Sequence, residues 1–135
     1  MGFSTYGADT IGGNLYNAKG TALPATWYVG LFTVQPSGGS GGTEANYTGY
    51  ARQSLTSGTT DFTVTSAGLT QNAIVVTFPT NTGSAQTVVG YGLFDALTGG
   101  NLWQDVAFAS SQTINNGADA SFAINALQFQ IVVNP

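Results

Sequence analysis

The sequence predicts an all-β fold: a single-domain β-sandwich, jelly-roll-like, over residues 21–135, preceded by a short N-terminal arm or helix over residues 1–20. Three observations carry this. Bulky residues alternate along several short stretches, as a pleated strand requires when successive side chains point to opposite faces. Glycine- and asparagine-rich turn signals separate those stretches at spacings that suit a sandwich or barrel of roughly eight strands. Val, Thr, Phe and Tyr dominate a chain that is 42% hydrophobic, which favours β structure and argues against disorder.

Taken in order, Ser4 is placed to cap a short helix on which Tyr6, Ile11 and Leu15 share part of a face. Gly12 and Gly13 weaken that helix by about 1 kcal/mol each relative to alanine, so an irregular arm docked on a neighbour is the competing expectation. Lys19-Gly20 ends it, and Leu23-Pro24 forces extended backbone before the next element. Thr26 to Val34 is the first strand, with Trp27, Val29 and Leu31 opposite Tyr28 and Phe32. Gln35 to Thr43 (QPSGGSGGT) is expected to be a flexible, projecting loop, too rich in Gly and Ser to pack. Strands are then expected at Tyr47–Leu55, Asp61–Val64 and Asn72–Phe78, with a turn at Ser66-Ala67-Gly68.

Val88 to Trp103 (VVGYGLFDALTGGNLW) is the expected central hairpin. Val88, Gly90, Gly92 and Phe94 lie on one face, and Val89, Tyr91 and Leu93 on the other; apolar character on both faces marks an interior strand. Thr98-Gly99-Gly100 supplies glycines for positive φ at the turn, and Asn101 to Phe108 runs back. Gly-Leu-Phe occurs at residues 30–32 and again at 92–94, each copy in an aromatic-rich strand, so the two are expected as neighbours. Gln112–Ile114 is a further short strand, and Asn115-Asn116-Gly117 is a turn. Along Asp119–Val133 the alternation slips by one residue near Asn125-Ala126, which predicts a bulge or tight corner.

Charge restricts function. Only 6% of residues are ionisable as Asp, Glu, Lys or Arg, against about 25% in an ordinary protein. The surface is therefore either a neutral, soluble one covered by Thr, Ser, Asn and Gln, or one covered by copies of the chain or by a larger assembly. With Lys19 and Arg52 as the only bases and a net charge of −4, no nucleic-acid partner and no anionic membrane surface is expected. Cysteine is absent, which removes disulfides and thiol chemistry. No secretory signal is visible in the first twenty residues, so synthesis in the cytoplasm is the expectation.

Histidine is absent too, which removes the commonest general base and metal ligand. No nucleophile elbow, P-loop or dinucleotide fingerprint is present. Glu44, Asp61, Asp95, Asp105 and Asp119 sit near turns and strand ends, where solvated carboxylates are ordinary, so neither glycoside cleavage nor a calcium cluster is expected. The reading is of a non-enzymatic protein with no catalytic residues, metal or cofactor. Arg52, the only arginine, is expected to pair with a carboxylate, Glu44 being nearest in sequence, and so to order the loop before it. An intersubunit contact is its alternative role. Phe3, Tyr6, Leu15, Tyr16 and Arg52 are the candidate interface residues. Trp27, Tyr47 and Trp103 are candidates for stacking on sugar rings, against the alternative that the two tryptophans belong to the core.

Five blocks in order span nearly the whole chain: ALPATWYVGLFTVQP (residues 22–36), GGTEANYTGYARQ (41–53), FPTNTG (78–83), VVGYGLFDALTGGNLW (88–103) and TINNGADASFAINAL (113–127). In these the chain resembles a family of small proteins from tailed bacteriophages and prophages, usually labelled tail-fibre or uncharacterised virion structural proteins. The Gly-Tyr-Ala-Arg and Phe-Asp-Ala-x-Thr-Gly-Gly-Asn-Leu segments are the most specific. Family members commonly begin with a Leu-rich amphipathic helix, where this chain has Gly12-Gly13; many carry a Trp after the Thr-Gly turn, where Ser84-Ala85-Gln86 stand. The resemblance implies a virion component without catalytic activity, made in the host cytoplasm, partnered by itself as a homo-oligomer and by other virion proteins.

Neither repeats nor heptads suggest an elongated stalk, whereas a compact body with a gripping arm and loop suits a capsid decoration (cement) protein. Capsid decoration is therefore the leading expectation. A tail-fibre or tail-associated protein is the first alternative, and a carbohydrate-binding host-recognition module the second.

Overall fold

A computed structural model describes residues 2–65 and 68–130. Among the described residues the chain is all-β apart from one helix. In order it forms β1 (Gly2–Phe3), α1 (Thr5–Tyr16), β2 (Thr26–Val34), β3 (Thr43–Glu44), β4 (Gln53–Thr56), β5 (Phe62–Val64) and β6 (Leu69–Asn72). There follow β7 (Val76–Thr77), β8 (Gln86–Phe94), β9 (Leu102–Ile114), β10 (Ser121–Phe122) and β11 (Gln128–Gln130).

One large antiparallel sheet runs β1-β9-β8-β2-β3, with β4 pairing β2 beyond β3. Its centre is the predicted hairpin, and β8 is interior, between β9 and β2. The two Gly-Leu-Phe copies are neighbours: Gly30 stands directly opposite Gly92, with Val29 opposite Leu93 and Leu31 opposite Tyr91. The facing layer consists of two small sheets, β11-β6-β5 and β10-β7. Val29, Leu31, Leu55, Tyr91 and Leu93 from the large sheet meet Val76, Phe78, Leu127 and Phe129 from the other side in one core.

Several boundaries differ from expectation. The stretch 72–78 is broken after Asn72, whose fully buried side chain donates to the carbonyls of Ile74 (2.7 Å) and Ala123 (2.9 Å) and accepts from the Leu127 amide (2.9 Å). That bond set bends the chain, so Val75 faces solvent and Val76 starts a different sheet. The strand expected over 47–55 is confined to β4, Gln53–Thr56, because Tyr47 to Tyr50 close a turn. The expected strands 101–108 and 112–114 are one strand, β9, which bulges opposite Val88–Gly90. The corner predicted near Asn125 is present, with Asn125 at φ 68°. Ser66 and Ala67 of the expected turn, and residues 131–133 of the last alternation, lie outside the described residues.

The Gly/Ser loop packs, contrary to its composition. Ser37 and Ser40 exchange backbone bonds, and the Gly38 carbonyl accepts from the amide and hydroxyl of Thr5. A Cβ on Gly39 would come within 2.5 Å of the Ser4 Cβ. The lack of a side chain is thus what lets this backbone seat on the start of α1.

Candidate functional site

The helix expected from Ser4 forms, and its cap is the predicted one. Ser4 accepts from the Gly7 amide at 3.0 Å, while its own hydroxyl donates to the Leu102 carbonyl. The closest approach of the docked face is made by glycine. Gly7 and Gly13 are the buried residues of α1, and a Cβ on Gly7 would lie 2.5 Å from the Trp103 carbonyl oxygen. Gly7 brings the helix against the backbone of β9, with Ile11 half-buried beside it, and the apolar side chains at the end of the helix are left outside. Leu15 is 69% exposed and Tyr16 86%.

At the same end of the sandwich, Arg52 draws three loops together. Its Nε and Nη2 donate to Oε1 and Oε2 of Glu44 at 2.8 and 2.7 Å, a two-pronged pairing. Nη1 donates to the carbonyls of Ala96 (2.7 Å) and Gly99 (2.8 Å), and the guanidinium lies 3.5 Å from the centre of the Phe94 ring. Glu44 also accepts from the Tyr50 hydroxyl at 2.7 Å, and that hydroxyl accepts from the Leu31 amide. Burial first, then the bond to Glu44, pushes the Tyr50 phenol far above its ordinary pKa.

Asp95 locks the hairpin loop from within. Its carboxylate accepts from the backbone and side chain of Asn101 (2.7 and 2.9 Å) and from the Trp103 indole (3.1 Å). Partial burial pushes its pKa up, but those bonds together with one from its own amide outweigh burial and hold it below the ordinary carboxylate value. Gly99 and Gly100, at φ 61° and 70°, make the tight loop that this requires. Between this loop and the Glu44–Arg52 segment lies an open cleft of about 310 Å³, with Leu97 and Ala51 on its rim.

The candidate residues are thus distributed. Arg52 is buried and committed to the clasp with Glu44, the partner read from the sequence. Phe3 is half-buried in β1, paired with Gln104 of β9, whereas Tyr6 sets its ring edge-on to Trp103 at 5.4 Å. The suggested sugar platform does not assemble. Trp103 is 3% exposed and Tyr47 6%, and the Trp27 and Trp103 planes stand at 89°. Stacking needs an open, flat ring face, which the buried Trp103 and Tyr47 lack, whereas Trp27 is half-buried at the edge of the core. Of the carboxylates, Asp61 accepts from the Thr56 amide and Asp105 from the Gln35 side chain, each tied into local structure.

Sequence reasoning missed Gly7, Gly39, Asn72 and Asn81, all of which work through contacts distant in sequence. Asn81 is fully buried and donates to Ser84 and Ile114 carbonyls while accepting from the Gly83 amide. The asparagine–glycine spacing there was legible only as a turn signal.

In comparison with known proteins, residues 2–130 match the model of a family described as podophage GP4 fiber I protein gp80. No curated protein matches the chain.

Proposed function

The chain belongs to the podophage GP4 fiber I protein gp80 family, and from that premise we propose that it is a non-enzymatic structural subunit of a tail fibre, in contact with copies of itself and with neighbouring virion proteins. The observation that carries this reading is the reach of the match, 2–130, across both the arm and the β body. The family's description names a fibre, which favours the tail over the capsid-decoration role that the compact body suggests. A short chain without internal repeats supports length by assembling several copies instead of repeating within itself.

Two features of the molecule suit such a part. Two polar networks, at Arg52 and at Asp95, hold loops rigid, and their groups are already engaged with one another. The exposed surface bears few ionic groups, which lowers the desolvation cost of lasting contact with neutral partners.

Imaging virions that carry a gold-labelled tag on this chain tests the proposal. Density at the tail fibres is the expected result. Label spread over the capsid shell would overturn it in favour of decoration.

A further inference from the structure

On a surface helix the apolar stripe ordinarily faces the body and the polar residues face water. Helix α1 departs from this at its C-terminal end, although Tyr6 packs on Trp103 and Ile11 is half-buried. Gly7 lies against β9 and Gly13 under the Lys19 stem, whereas Thr5, Ala8, Gly12, Leu15 and Tyr16 fall on one outward stripe at helical spacing, with Asp9 at its edge. A Cβ added at Gly12 would meet nothing within 4 Å, so the centre of that stripe is open to close approach. Leu15 and Tyr16, 69% and 86% exposed, make no use of the body they are attached to.

We propose that this outward face of α1 is a self-association surface, occupied by α1 of a second copy packed antiparallel about a two-fold axis near Gly12. Charge selects this occupant. The helix and the segment after it carry two ionised side chains of opposite sign, Asp9 and Lys19, both exposed. The Lys19 stem lies beside Gly13, within 2.7 Å of where a Cβ there would be. An antiparallel two-fold about Gly12 therefore brings Lys19 of each copy within a helical turn of Asp9 of the other. It also sets Ala8 of each copy against the Leu15–Tyr16 end of its partner, small residue to large.

One face of a 12-residue helix is well short of the roughly 800 Å² per partner found in stable complexes. The contact is accordingly weak between two free chains and becomes durable where other contacts in an assembly hold the same two copies close together. This inference rests on the fibre reading for its biological setting. It does not rest on that reading for its geometry.

Sedimentation of the full chain from about 1 μM to about 1 mM tests it, with circular dichroism to confirm that each variant keeps its fold. The wild-type chain should associate reversibly, and the double substitution Leu15→Ser, Tyr16→Ser should raise the dissociation constant at least about tenfold. Asp9→Lys and Lys19→Glu should each weaken association severalfold, and the two together should restore it. A wild-type chain that stays monomeric, or association that ignores all four substitutions, would overturn the proposal. Rescue by the charge reversal supports it whatever part of the virion carries the label, so its failure is separable from failure of the fibre assignment.

Discussion

At Arg52, four N–H donors, a carboxylate, two carbonyls and an aromatic face converge on one side chain. Removing one partner of a largely buried pair costs more than the pair contributes net, because the other charge loses its compensation. Arg52→Ala should therefore destabilise the fold by about 3 kcal/mol. In thermal denaturation that corresponds to a fall of roughly 10 °C. Arg52→Lys should recover only part of the loss, since a point charge cannot hold both carboxylate oxygens and two carbonyls together. An alanine variant that melts with the wild type would show the clasp to be dispensable. Asp95 supports a second test at this scale. Because its pKa is depressed in the fold, its contribution is fully present above the ordinary carboxylate value and is lost as pH falls through the folded value. Urea unfolding should show wild type losing more stability than Asp95→Asn on acidification below about pH 4. Parallel losses would remove Asp95 from the account.

The helix depends on what its glycines lack. Gly7→Ala places a methyl group 2.5 Å from a backbone oxygen of β9, which cannot yield as a flexible side chain would. Alanine at Gly12 meets open space, in a helix where it gains about 1 kcal/mol over glycine. Two alanine substitutions five residues apart should thus act in opposite directions: Gly7→Ala frees the arm to early proteolysis, and Gly12→Ala raises the melting temperature. Limited digestion followed by mass spectrometry distinguishes them. The same elements show what the sequence made legible. Thr26–Val34 and the 88–103 hairpin could be read because period-two alternation and local turn glycines are local signals. The facing of Gly30 and Gly92 followed from a repeated tripeptide. The Gly/Ser loop and the run 72–78 were misread because their conformations are set elsewhere. Gly39 is needed because Ser4 sits on it, and Asn72 stops its strand because Ala123 and Leu127 supply bonding partners 51 and 55 residues away. The Arg52–Glu44 pair could be anticipated, being eight residues apart, but its link to the loop at Ala96 could not.

Across the whole molecule, the large sheet faces two small ones, and tyrosine hydroxyls help to pin the layers and their connecting loops. Tyr91 donates to the Gln128 carbonyl and accepts from the Gln128 amide, tying β8 to β11. Tyr47 donates to the Pro79 carbonyl, and Tyr50 joins β2 to the Glu44 clasp. In all three, burial is the first cause that pushes the phenol pKa above its ordinary value; at Tyr47 the Asp119 carboxylate adds to it. The fold therefore holds these phenols neutral at a pH where the unfolded chain would ionise them. Stability is full below the ordinary phenol pKa and is lost as pH climbs above it, by about 1.4 kcal/mol per pH unit for each phenol kept neutral. Because Tyr91 and Tyr50 anchor different parts of the sandwich, their ionisation should accompany global unfolding and not precede it. Tyrosinate absorbance at 295 nm should then rise in a cooperative step that coincides with loss of the circular dichroism signal. In Tyr91→Phe that step should be smaller, the variant being less stable from the outset. A smooth titration of the three phenols with the fold intact would mean that the layers are held by apolar packing alone.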